Sequence, residues 1–183
     1  VLKSEWLTQG PKVEEFEKAL ANYCGAHSAV VFSSGTAALH AAYFAAGLAK
    51  GDEFITSPLT FAATANAGLY LGAKPVFADI DDNGNIDPVE VEKKITKNTR
   101  AIVAVDYAGF PACLNELRRI AKKYGVVLIE DACHALGATY KGKKIGSLSD
   151  MSVFSFHPVK SIATGEGGAV LTNNHSYGEK DGR

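Results

Sequence analysis

Short β-branched apolar runs alternate along this chain with longer stretches of helical period. Ala29-Val30-Val31-Phe32, 53–57, 75–80, 101–106 and 126–130 read as buried strands, each bounded by glycine or polar residues. Helices are predicted between and before them at 12–23, 36–49, 61–71, 88–96 and 113–124. Such alternation is the mark of a three-layer α/β/α architecture, with a mainly parallel sheet and helices on both faces. Gly25 and Gly125 follow predicted helices and suit left-handed C-terminal caps. Asp81-Asp82-Asn83-Gly84-Asn85 reads as a turn and Tyr140-Lys141-Gly142-Lys143-Lys144 as a small hairpin. Two more strands are predicted, at Met151-Ser152-Val153-Phe154-Ser155-Phe156 and Gly167-Gly168-Ala169-Val170-Leu171, and the polar tail 173–183 requires no order.

Composition narrows the class. With 183 residues, 46% of them hydrophobic, the chain builds one sizeable α/β core and not a second full domain. A net charge of −1 argues against nucleic acid or a basic membrane surface as partner. Cys24, Cys113 and Cys133 form no CxxC pair and are odd in number, so reduced thiols in a cytoplasmic protein are expected. Cys133 lies near Asp131 and His134, but nothing else supplies metal-ligand spacing, and no metal is expected. No apolar run approaches the roughly 18 residues of a membrane span, and no signal-peptide pattern opens the chain. The alanine-rich stretch 37–49, interrupted by His40, reads as a buried helix.

The candidate chemistry lies at strand ends. Asp131 follows the apolar run Val126-Val127-Leu128-Ile129, which places it at the carboxyl end of a parallel strand, where ligands of open α/β sheets bind. Lys160 stands in the loop after the strand 151–156, two residues beyond Pro158 and just before Gly165-Glu166-Gly167-Gly168. A lysine amine able to form a Schiff base, with an acid able to pair with a pyridinium nitrogen, is what pyridoxal 5′-phosphate (PLP) asks of a protein. Each residue also has an ordinary explanation: Asp131 as the cap of a helical turn over 132–136, Lys160 as an exposed surface lysine. Ser33-Ser34-Gly35-Thr36 opens the second predicted helix, where bare N–H groups and the helix dipole favour a phosphate, though Ser and Thr cap helices in any case. Neither GxGxxG nor GxxxxGK[ST] occurs, which counts against dinucleotide and nucleoside-triphosphate sites.

Six motifs in register carry a resemblance. Gln9-Gly10-Pro11, Ser34-Gly35-Thr36-Ala37-Ala38, Thr60-Phe61-Ala62-Ala63-Thr64, Asp106-Tyr107-Ala108-Gly109, Glu130-Asp131-Ala132-Cys133-His134-Ala135-Leu136-Gly137 and the run 154–168 follow one another over nearly the whole chain. Together they resemble the DegT/DnrJ/EryC1/StrS sugar aminotransferases, PLP enzymes of the aspartate aminotransferase fold. His134 and Asp106-Tyr107-Ala108-Gly109 point to the branch that aminates UDP-linked 4-keto-6-deoxy-N-acetylhexosamines. The resemblance implies that Lys160 holds PLP as a Schiff base and Asp131 pairs with its ring nitrogen. It implies that Gly35, Thr36 and Ser155 hold the phosphate, that Phe61 stacks on the ring, and that His134 lies near the phenolic oxygen. His157 belongs to the motif without an assigned role.

Family members are about twice as long, so residues 1–183 are expected to be the PLP-binding large domain, with 1–10 and 173–183 at its edges and the small C-terminal domain absent. The resemblance further implies nucleotide-sugar and amino-acid substrates, glutamate as donor, and a homodimer; separately from the resemblance, the helix face around Phe16, Leu20 and Tyr23 is one candidate surface for the partner. A sugar dehydratase or lyase on the same scaffold, or a PLP-binding fragment without activity, are the competing readings. Lys160 argues against the dehydratase variant, in which a histidine takes its place.

Overall fold

Nine strands and six helices form from these runs in the computed structural model, which describes residues 3, 5, 6 and 8–178. The large strands are β1 (Ser28–Phe32), β2 (Glu53–Thr56), β3 (Lys74–Phe77), β4 (Thr99–Val105) and β5 (Val127–Asp131). The small hairpin β6 (Thr139–Tyr140) and β7 (Lys143–Lys144) follows, then β8 (Met151–Ser155) and β9 (Gly168–Thr172). The main sheet runs β1-β9-β8-β5-β4-β2-β3. Strands β3, β2, β4, β5 and β8 are parallel, whereas β9 is antiparallel to both β8 and β1. A tight return through 156–167 explains that exception, because it leaves no room for a crossover helix.

Helices α1 (Pro11–Cys24), α4 (Pro88–Lys94) and α5 (Leu114–Tyr124) cover one face, while α2 (Gly35–Ala45) and α3 (Ala62–Tyr70) cover the other. The central strands feed both sides by simple alternation: in β4, Ile102 packs with Leu117, Ile120 and Leu128, and its neighbour Val103 packs with Leu39, Phe54 and Ile129. Each such buried side chain stabilises the fold by about 1.5–3 kcal/mol relative to exposure. Gly25 at φ 71° and Gly125 at φ 66° are the expected left-handed caps, and the hairpin turns at Lys141 and Gly142, both with positive φ.

Several elements differ from the sequence expectation. Helix α2 stops at Ala45 rather than 49, α4 at Lys94 rather than 96, and β3 at Phe77 rather than 80. Residues 132–136 form successive turns and no regular helix, and the Asp131 carboxyl accepts from the Cys133 amide at the first of them, so a turn-capping role stands beside the catalytic reading. A short helix α6 (His175–Gly178) stands in the tail expected to need no order; residues 179–183 of that tail lie outside the described ones. The proposed partner face of α1 is also corrected. Leu20 is buried and Phe16 packs edge-on against Phe156 at 5.2 Å within the chain's own core, because α1 must cover β1 and β8. Tyr23 alone of the three is exposed, with the Lys144 ammonium 3.3 Å from its ring centroid.

Candidate active site

The carboxyl ends of β4, β5 and β8 lie level, since Val105 pairs with Asp131 and Asp131 with Val153. Asp131 therefore ends its strand at the sheet's upper edge, 6% exposed. Its Oδ2 accepts a 2.7 Å hydrogen bond from Thr64 Oγ1, and its Oδ1 accepts one at 3.3 Å from the Cys133 amide. Thr64 is held in turn: its hydroxyl lies 2.8 Å from Thr60 Oγ1, and its carbonyl accepts from the buried Tyr43 hydroxyl at 2.8 Å. Two donors therefore fix the orientation of this buried carboxyl group.

Phe61 occupies the N-cap position of α3, one turn before Thr64, so both belong to the same side of the helix. Its ring is 75% exposed, a bare flat surface at the crevice mouth.

Helix α2 begins beside β8. Ser34 is its N-cap, accepting from the Ala37 amide at 3.1 Å, and Gly35 and Thr36 are the first helical residues, whose amides have no intrahelical acceptor. Gly35 lies so close to Ser155 that a Cβ on it would come within 2.9 Å of that residue's Cβ and 3.1 Å of its Oγ. On the sheet side, a Cβ at Gly168 would stand 2.3 Å from the Ser34 carbonyl oxygen. Two glycines thus let a helix N-terminus settle directly on the β8–β9 end, with the Ser155 hydroxyl at its side, an arrangement of donors that could hold an anion.

Lys160 lies in the turn after β8, its amide donating to the His157 carbonyl at 2.9 Å. His157 organises that turn: Nδ1 accepts from the Val159 amide at 3.3 Å, and Nε2 stands 3.7 Å from Glu166 Oε1. Gly165, at φ 84°, completes the return. Lys160 shares a small pocket of about 220 Å³ with His134, Ala108, Val159 and Ser161. Burial lowers the His134 imidazole from its ordinary value, the nearby Lys160 charge lowers it further, and Asp131 opposes. Burial likewise raises the Cys133 thiol, Asp131 adds to that and Lys160 offsets part of it. Lys160 and Asp131 thus both act electrostatically on Cys133 and His134, in opposite senses.

Fold and site decide the family once they are compared with known proteins. A model of the DegT/DnrJ/EryC1/StrS aminotransferase family matches residues 1–181. The chain belongs to that family. Among its relatives, the UDP-4-amino-4,6-dideoxy-N-acetyl-beta-L-altrosamine transaminase of Campylobacter jejuni is 54% identical over 176 residues, 94% of this chain and 46% of that protein. Helicobacter pylori PseC, an aminotransferase involved in the biosynthesis of pseudoaminic acid, superposes with a TM-score of 0.93 at 44% identity, over 98% of this chain and 49% of that one. Streptococcus pneumoniae Spr1654, solved in its PLP-form, gives a TM-score of 0.90 at 34% identity, over 96% of this chain and 49% of that one. The chain spans about half the length of the relatives it matches.

This family member brings its sequence-predicted residues toward one edge of the sheet: Gly35 and Thr36 at the α2 N-terminus beside Ser155, Asp131 at the end of β5, His134 just after it, Lys160 after β8, and Phe61 at the start of α3. Thr64 was not singled out from sequence. It stood only as the last residue of the Thr60–Thr64 motif, and only the fold shows that its hydroxyl meets Asp131. Among the described residues no cluster of metal-ligating side chains occurs, and no helix is long and apolar enough to cross a membrane.

Proposed function

We propose that this chain is the PLP-binding part of an enzyme that moves an amino group from an amino acid, glutamate by resemblance, to a nucleotide-linked keto sugar in amino-sugar and surface-polysaccharide synthesis. The observation that carries the reading is the placement of Asp131 at the carboxyl end of β5 and of Lys160 in the turn that follows the adjacent parallel strand β8. The residues fit the cofactor. The cradle of Gly35, Thr36 and Ser155 has the donors and the clearance for a phosphate, and a Cβ at Gly35 would fill it.

When bound, PLP supplies an electron-withdrawing ring that stabilises negative charge at the carbon bearing the transferred nitrogen. The chain's own residues do the rest. Lys160 Nζ would hold the cofactor and would serve as the amine that moves a proton at the reacting carbon. Asp131 Oδ1 and Oδ2, fixed by the Cys133 amide and Thr64, present a carboxylate that keeps a ring nitrogen protonated. Phe61 would cover one ring face, and His134, its proton affinity lowered by burial and by Lys160, would meet the phenolic oxygen.

The homodimer implied by the resemblance is part of this proposal. Apolar side chains stand bare around the crevice, Phe61 at 75% and Val159 at 78% exposed, and a second subunit would cover them. The test is borohydride reduction of the PLP-loaded protein with peptide mapping, together with glutamate-dependent amination of a UDP-4-keto sugar by the full-length protein. PLP fixed on a lysine other than Lys160 refutes the site assignment. A full-length protein that transaminates free amino acids yet ignores every nucleotide-linked keto sugar refutes the substrate class.

A further inference from the structure

Directly behind Asp131, on the opposite face of the sheet, two acids lie in the interior. Glu130 and Asp106 are both fully buried. Strand alternation turns Glu130 toward the α5 side, and Asp106, just past the end of β4, is tied to β5 by a 3.1 Å bond from its own amide to the Asp131 carbonyl. Glu130 Oε2 accepts from Ser152 Oγ at 2.8 Å and Ser149 Oγ at 3.3 Å, and Asp106 Oδ1 accepts from the Ala112 amide at 2.9 Å. The remaining oxygens, Asp106 Oδ2 and Glu130 Oε1, meet no donor among the described residues.

Two carboxylates cannot bond one another, and two uncompensated buried anions are too unfavourable to persist. We propose that one proton is held between Asp106 Oδ2 and Glu130 Oε1, donated by Asp106, and that this acid pair is a positioning element for the turn that walls the Lys160 pocket. Every oxygen of the pair then has a partner. The placement of the proton follows from the donors: two hydroxyls favour the anion on Glu130, while Asp106 has a single amide, which a protonated acid's carbonyl oxygen also accepts. Burial pushes the Asp106 carboxyl well up, the Glu130 charge adds to this, and Ala112 opposes; burial also raises Glu130, against its serine donors and Asp106.

What the pair holds is the turn from Asp106 to Ala112. Tyr107–Gly109 forms a single 3-10 turn in which Ala108 takes the strained φ of 52° and Gly109 lies at φ 85°. Ala108 lines the pocket with Lys160 and His134, and Gly109 lies so near that a Cβ would come within 2.8 Å of the His134 carbonyl oxygen. Asn85 supports the turn from outside, accepting from the Tyr107 amide at 2.9 Å and donating to the Phe110 carbonyl at 3.0 Å. The ionisable groups around the pair are Asp131 on β5, whose charge raises Asp106, and Cys24 on α1, whose thiol is raised to about 11 mainly by burial, with Lys144 opposing and Glu130 adding. Helix α5 faces the pair with the apolar Leu114 and Leu117.

The experiment compares the wild-type chain with D106N, D106A, E130Q and D106N/E130Q. Infrared difference spectra at neutral pH are expected to show the carbonyl stretch of a buried protonated acid in wild type and not in D106N or E130Q. Because Asp106 is raised on folding, its contribution to stability is complete below the ordinary carboxylate range and is lost as pH rises toward the raised value; D106N removes that slope. The side-chain amide of D106N donates through Nδ2 and accepts through Oδ1, as the protonated acid does, so this variant keeps stability at pH 7. D106A strips partners from the Ala112 amide and Glu130 Oε1, whereas in the double amide the glutamine of E130Q can turn its oxygen to the asparagine side-chain NH2 and its own NH2 to the Ser149 and Ser152 hydroxyls, so it folds without the acid band.

The effect on the pocket rests on the proposed function: D106A weakens PLP binding about tenfold, the equivalent of one hydrogen bond to a buried group, and D106N restores it. A wild-type chain without the acid band, or a band that persists in D106N, overturns the shared proton. Equal PLP affinity in D106A and wild type overturns the positioning role. Failure of wild type to bind PLP at all refutes the proposed function while leaving the infrared and stability results to decide the pair.

Discussion

Gly168→Ala tests the cradle most directly. The added Cβ would stand 2.3 Å from the Ser34 carbonyl oxygen and 2.6 Å from the Gly35 amide nitrogen, both backbone atoms that no rotamer change can move. A carbon meets a carbonyl oxygen comfortably near 3.3–3.6 Å, so the α2 N-terminus must shift from β9 by about 1 Å. Overpacking of this kind destabilises by about 1–3 kcal/mol, which for a chain of this size lowers Tm by roughly 2–4 °C for each kcal/mol. Stability alone does not identify the mechanism. Gly165→Ala enters open space but at φ 84°, and an L-residue there is strained by about 1–2 kcal/mol as well. The two differ in where the strain falls. Gly168→Ala displaces the Gly35 and Thr36 amides and should weaken PLP and inorganic phosphate binding at least about tenfold, whereas Gly165→Ala should leave phosphate binding within about threefold. Thermal unfolding with absorbance titration of PLP measures both quantities. Gly168→Ala with wild-type Tm and wild-type affinity would refute the argument that α2 rests directly on β9 to form the cradle.

Lys160→Ala should fold with an unchanged Tm, since its side chain carries no part of the core, yet lose all borohydride-fixable PLP; fixation at undiminished yield would place the cofactor elsewhere. Thr64→Val removes the donor to Asp131 Oδ2 in a buried setting and should lower stability by about 1–3 kcal/mol in denaturant titrations; a neutral effect would mean water already serves that oxygen. The His134 imidazole, lowered from 6.5 first by burial and then by Lys160, should titrate below that value by NMR and move upward in Lys160→Ala. Its depressed value also means that the stability it contributes is present above 6.5 and lost as pH falls below it toward the folded value. In the full-length enzyme, Asp131→Ala should reduce amine transfer far more than PLP binding, and equal losses in both would return Asp131 to a purely structural role.

The chain's own order of residues determined the architecture and the motif positions. Alternating β-branched runs and helical periods predict a parallel sheet because each has a geometric repeat that only one element can bury, and Gly25 and Gly125 mark helix ends because only glycine adopts the left-handed cap without strain. Lys160, Asp131 and the Ser34-Gly35-Thr36 run were legible because their chemistry requires those residue types at strand ends and a helix start. Contacts between residues distant in sequence were not legible. That Thr64 serves Asp131 across 67 residues, that Gly168 is small because Ser34 lies above it, and that Asp106 meets Glu130 behind the site all depend on strand order and register. The same holds for α1: a face carrying Phe16, Leu20 and Tyr23 is equally suited to a partner or to its own sheet, and only the packing of α1 on Phe156 decided for the sheet. Local pattern records which face of an element is apolar, whereas the surface that covers it is a property of the assembled fold.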